Sequence, residues 1–179
     1  MRTITRISAA TTAVLLAAGA AVLTASSASA AESSTTATAA VNGGTLSISA
    51  PGTVAFPAVD PGTTSQAAVA AVTVSDTRAG VLGWTASVSV SEFVSTADSS
   101  RKVAADEFTY TPSAASKTGT ATVTTSAPVT GSAQGAAVQT ATDVTGNNSA
   151  SWSAALELAV PSDALAADDY RATVTHSVL

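Results

Sequence analysis

The sequence predicts an all-β protein, an antiparallel β-sandwich of immunoglobulin-like general architecture. Three observations carry that expectation. Apolar residues alternate with Ser and Thr in short runs, which is the pattern of half-buried strands. Turn formers such as Pro51-Gly52 and Asp60-Pro61-Gly62 cut those runs. Beyond the first thirty residues, no stretch combines helical periodicity with a cap, so sheets are the layers left to pack.

Residues 1–30 are expected to be a signal peptide. Arg2 and Arg6 give a basic start, Ala9 to Leu23 an apolar stretch too short to span a bilayer as a helix, and Ala28-Ser29-Ala30 a small-residue cleavage site. Residues 31–44, rich in Ser, Thr and Ala without periodicity, read as a flexible tether. The domain is expected over 45–179. Leu46, Ile48 and Ala50 open it as a strand, with Val54 and Phe56 continuing toward Pro57. Further strands are expected around Val69 to Ser75, Trp84 to Phe93, Glu107 to Thr111, Thr118 to Thr125 and Ala136 to Thr142. Two longer alternations close the chain. Trp152, Ala154, Leu156, Leu158 and Val160 share one face, and Tyr170, Ala172, Val174, His176 and Val178 share another. Between Val74 and Trp84, the run from Asp76 to Gly83 reads as a charged loop that reverses the chain between paired strands, with Gly80 and Gly83 supplying positive φ. Asn147-Asn148-Ser149 after Gly146 reads as another turn, and the Ala-rich pieces near Ala67 and Ala164 as strand or short helical turns.

Charge excludes some partners. The chain holds 7 Lys and Arg against 12 Asp and Glu, and without Arg2 and Arg6 the balance is 5 against 12, a net charge of −7. Nucleic acid needs a basic patch, and anionic wall polymers would repel such a surface. Charged residues make up only 11% of the chain, against about 25% in ordinary domains, so Ser and Thr must solvate the outer faces. There is no cysteine, hence no disulfide or thiol chemistry, and the single histidine, His176, excludes a multi-histidine metal centre within one chain. Asp106-Glu107, and Asp163 with Asp168-Asp169, could hold a hard cation but lack the spacing of known calcium loops, and solvated acids are the simpler reading. No metal and no cofactor is expected. Without a Gly-x-Ser-x-Gly elbow or a thiol, no catalytic residues are assigned and no enzyme is expected. After the leader no apolar stretch spans a membrane, and no Leu-Pro-x-Thr-Gly-type sorting signal is present.

Some residues carry two readings. Asp76 and Arg78 offer one carboxylate and one guanidinium fork to a ligand, or else brace their own turn. Trp84 and Trp152 are either sugar-stacking platforms or core residues, and their aliphatic row-mates favour the core. His176 shares a face with Tyr170, Val174 and Val178, the usual setting of a half-buried ring bonded to backbone.

The pattern Asp76-x-Arg78-x-Gly80-x-x-Gly83-Trp84, followed by Tyr170-Arg-Ala-Thr173-Val174-Thr175-His176-Ser177-Val178, resembles the WxL-type domain of Gram-positive surface proteins. That family carries a Trp-x-Leu pair in each of two segments. Here the first segment is Trp84-Thr85-Ala86 and the second is His176-Ser177-Val178. The resemblance implies a secreted protein, at the cell wall or extracellular, attached non-covalently to peptidoglycan directly or through another cell-surface protein. It makes Asp76, Arg78, Trp84, Tyr170 and His176 the candidate ligand contacts. The alternatives are a released or matrix-forming structural protein without a wall ligand and, third, a wall-glycan hydrolase.

Overall fold

One alternation is far longer than its neighbours, and the other strands are arranged along it. In the computed structural model, which describes residues 32–167 and 170–179, residues Ala136–Ala159 form a single strand. The chain divides into two units, Met1–Ala39 and Ala40–Leu179. In the first, residues 32–39 are exposed and carry neither helix nor strand, and the leader expectation lies outside the described residues. The described residues of the second unit form β1 (Leu46–Ser49), β2 (Thr64–Asp76), β3 (Trp84–Val90), β4 (Phe93–Ser95), β5 (Lys102–Val103) and β6 (Phe108–Pro112). There follow β7 (Ser116–Thr125), β8 (Val129–Thr130), β9 (Ala136–Ala159), β10 (Tyr170–Arg171) and β11 (Val174–Val178), and Ala105–Glu107 make one 3-10 turn.

Strand β9 is the spine. Along one edge it carries β2 and then β3, with Asp76 opposite Asn148 and Trp84 opposite Ala141. Along the other it carries β6 and then β7, from Phe108 opposite Leu158 to Thr125 opposite Gln139. Because β2 and β3 are both antiparallel to β9, they run in the same direction. The chain reversal expected between them therefore does not occur, and residues 77–83 are an excursion within one run, facing residues 142–147. Positive φ falls on Ala79 (φ 55) rather than on Gly80 or Gly83. Gly83 serves close approach instead, since a Cβ there would collide with the Ala141 carbonyl oxygen.

The turn expected at Asn147-Asn148 is likewise interior to β9. Asp143 (φ 51) and Gly146 (φ 71) absorb the offset between the flanking registers, as bulges do, and the strand continues through Asn148. The final alternation breaks at residues 172–173. Strand β10 pairs with β4 in a small sheet completed by β5, while β11 joins β3. Val54 and Phe56 form no strand. Pro51, Pro57 and Pro61 bring no N–H donor to a ladder, and Phe56 is held edge-on against Phe93 and Phe108 at ring separations of 6.1 and 6.4 Å. Ala67 lies in β2, and Ala164 in a loop.

All the ladders are antiparallel. The larger sheet curls until β1, on the outer side of β2, approaches β11, on the outer side of β3. The architecture is the all-β antiparallel sandwich expected, with the larger sheet close to barrel-like closure. Its interior holds Val72, Val74, Trp84, Phe108, Tyr110, Val138, Trp152 and Leu156, each at most 3% exposed. Five of the seven aromatic residues are buried, so in a core otherwise of Val, Ala and Leu they supply much of the buried area.

Two glycines test this architecture. Gly83→Ala, and Gly119→Ala at a φ of +72 where a Cβ would strike the Asn147 carbonyl, should each lower stability by about 2 kcal/mol or more. Gly52→Ala, with nothing within 4 Å of the added carbon, should be near neutral. Thermal melts of the three variants check the contrast.

Candidate functional site

The sequence-predicted residues separate into two groups. Asp76, Arg78 and Trp84 meet where β2 ends, the excursion begins and β3 starts. Asp76 is 2% exposed although it carries a carboxylate, a burial that requires compensation. Arg78 provides most of it: its Nε donates to Oδ1 and its Nη2 to Oδ2, both at 2.9 Å, and its backbone N–H donates to Oδ1 at 3.1 Å. The Asn148 Nδ2 donates to Oδ2 at 3.2 Å. The same amide, through its Oδ1, accepts the Trp84 Nε1–H at 2.9 Å. Arg78 Nη2 also donates to the carbonyls of Leu82 and Gly83, at 3.1 and 3.0 Å, which fixes the excursion's path.

This arrangement saturates Asp76 and encloses Trp84, itself 2% exposed. Neither offers a free face, whereas the Arg78 side chain is 28% exposed. The Arg78 side-chain bonds, outweighing burial, hold the Asp76 pKa at about 2 against an ordinary 3.8, and its backbone N–H and the Asn148 amide add to the lowering. Beside Gly146 and Asn147, Asn148 has the composition of a turn, which conceals its place in this network. Its parity was the available signal: it falls on the same inward row of β9 as Ala150, Trp152 and Ala154.

Tyr170 and His176 lie elsewhere. They line a cleft of about 1210 Å³ at the opposite end of β2, where Ser65 also faces it. Ser65 and Asp76 are eleven residues apart on that strand, about 35 Å at ~3.3 Å per residue. One wall is residues 51–61, pinned by Phe56 and by the Ser65 hydroxyl, which donates to the Pro57 carbonyl at 2.7 Å. The other is formed by residues 164–167 and 170–174. Val69, Phe93 and Leu158 form much of the apolar floor. The Tyr170 hydroxyl donates to the Leu165 carbonyl at 2.7 Å and shapes that wall.

Behind His176 runs a buried polar chain that the sequence did not reveal. Trp152 Nε1–H donates to the Tyr110 hydroxyl oxygen at 3.1 Å, and that hydroxyl lies 3.3 Å from His176 Nε2. Indole nitrogen is a donor only, and Tyr110 is fully buried. A Tyr110 hydroxyl that donates to Nε2 leaves none of its hydrogen-bonding capacity as donor unused in this buried chain, and the His176 tautomer that accepts it is the one protonated on Nδ1. Burial also lowers the His176 pKa and raises that of Tyr110. The two rings pack edge to face at 5.6 Å.

Among the described residues, no group of three or more His, Cys, Asp or Glu side chains converges as a metal site, and no helix is long and apolar enough to cross a membrane. Asp168 and Asp169 lie outside the described residues. The fold and cleft define an all-β antiparallel protein that is sealed by a buried ion pair at one end and open at the other. No protein-family model, curated protein or solved structure matches this chain.

Two measurements probe these networks. A depressed carboxylate pKa stabilises the fold fully above about 3.8 and loses that contribution as pH falls through about 2. The wild-type melting temperature should drop across that window, and Asp76→Asn should remove the part due to this group. At neutral pH, Arg78→Ala leaves the buried carboxylate unpaired and should cost about 3 kcal/mol or more. Tyr110→Phe strands the Trp152 N–H and should cost about 1–3 kcal/mol in chemical denaturation.

Proposed function

We propose that this is a secreted, non-enzymatic binding protein that associates non-covalently with the Gram-positive cell wall, with peptidoglycan directly or through a surface-protein partner, by way of the cleft. One observation carries the reading. Of the two segments in which the chain resembles WxL-type domains, the first is consumed in closing the fold, while the second, with Tyr170 and His176, lines an open cleft. Concave, largely apolar openings with a few oriented polar groups are where ligands bind. The negative charge of the chain fits contact by shape, apolar area and hydrogen bonding rather than by attraction to anionic polymers.

Co-sedimentation of the full chain with purified, washed walls, with and without extract of the native surface, tests it. Tyr170→Ala and His176→Ala should each weaken retention by about tenfold, and melts should show both folded. Thr122→Ala, on the exposed strand β7, should sediment like the wild type. Wild-type protein that stays in the wash under both conditions sinks the proposal.

A further inference from the structure

The cleft is bounded by a strand edge as well as by side chains. Residues 170–174 line it consecutively, followed by His176. On one side this run is already paired: Tyr170 and Arg171 with β4, and Val174 onward with β3, while Thr173 exchanges bonds with Ser91. Its other side is unpaired, bordering the cleft along residues 170–174 and nearing β1 further along β11. Among the described residues, no hydrogen bond joins this run to residues 51–61 across the opening.

Burial tells the same story. The inward row Tyr170, Ala172, Val174, His176 and Val178 is half-buried throughout, whereas the inward residues of β3 are buried without exception. Among the described residues no ladder pairs this row on the side away from β3 and β4, although β1 comes near it along β11. The aliphatic side chains Val54, Val59 and Leu165, at 36%, 39% and 60% exposed, all line the same opening.

We propose that the cleft accepts an extended, apolar peptide segment of a protein partner, added as a strand along residues 170–174. Resting on the reading of the cleft as the binding site, this identifies the partner as protein. Main-chain N–H and C=O groups on the free edge supply the hydrogen bonds, and alternate side chains of the incoming segment rest on Val69, Phe93 and Leu158. In the tautomer that accepts from Tyr110, the His176 Nδ1–H adds one donor for a carbonyl. The lining suits a sugar poorly. Among the described residues it holds no Trp, Asn, Gln, Glu or Lys, and Phe56 and Phe93 are packed edge-on against each other rather than laid open as platforms. Among the described residues its charged side chains are Asp60 and Arg171, of opposite sign.

Amide chemical-shift titration of the full chain provides the test, with three probes. These are a capped six-residue peptide alternating Val and Thr, its depsipeptide analogue with ester oxygens in place of the backbone N–H groups, and an N-acetylglucosamine tetrasaccharide. The peptide should shift amides within 51–61 and 170–174, the depsipeptide should bind at least tenfold more weakly, and the tetrasaccharide should leave those amides unmoved. Equal binding of peptide and depsipeptide overturns strand addition, a response to the sugar alone overturns the peptide assignment, and no response to any probe overturns the proposal as a whole. Wall sedimentation separates this inference from the reading beneath it. Retention by walls without peptide binding defeats only the inference, and peptide binding without wall retention defeats only the wall association.

Discussion

The Asp76 carboxylate is the constraint on which the rest of the fold depends. Four donors converge on it from the excursion and from the middle of β9, and Asn148 passes the connection on to the first residue of β3. An apolar substitute could match such a pair in stability, because desolvation offsets much of the Coulombic gain. Register is what a substitute would not supply. The strands here are built from Val, Ala, Ser and Thr of similar size, and slipping by one residue turns a whole row to the wrong face. Both edges of β9 change register near this point, between Gly119 and Thr122 on one side and across the excursion on the other. A bidentate, fully satisfied ion pair fixes one alignment where packing of small side chains distinguishes alignments poorly.

Legibility in the sequence followed the same division. Strand positions were readable wherever Ser and Thr alternate with apolar residues, because the period of two is local. Trp84 and Trp152 could be placed inside from their row-mates alone, and both are buried. Connectivity was not readable. Asp76 to Gly83 contains every residue type that a reversal uses, yet whether such a loop reverses or merely protrudes is decided by which strand its two flanks share. That strand, β9, lies some sixty residues further on. Asn148 was hidden for a related reason: next to Gly146 and Asn147 it has turn composition, and only the buried carboxylate across the sheet gives its amide an inward purpose.

The candidate ligand residues separated along the same line. Asp76 and Trp84 had chemistry suited to a ligand, but that chemistry is satisfied internally. Tyr170 and His176 had ordinary alternation and turned out to flank an opening. No local feature of residues 51–61 announces that they form its opposite wall, since prolines and small residues also describe an ordinary surface loop. The wall exists because Phe56 packs edge-on against the neighbouring rings of Phe93 and Phe108, which lie 37 and 52 residues further along the chain.

The two ends of the molecule differ in how far their polar groups are satisfied internally. At the sealed end the hydrogen bonds of Asp76, Asn148 and Trp84 are closed on one another, which leaves little to offer a partner beyond the partly exposed Arg78. At the cleft the polar chain from Trp152 through Tyr110 ends at His176 with one ring nitrogen still available, and the adjoining edge strand keeps one side unpaired. In a chain with so few charges, long-range attraction contributes little to encounter, and its net sign opposes anionic surfaces. Association must then come from contacts made at short range. Backbone pairing and apolar burial meet that requirement and, unlike ion pairs at a surface, are little weakened by screening salt. An open strand edge beside an apolar floor is therefore the form of binding surface that this composition can support.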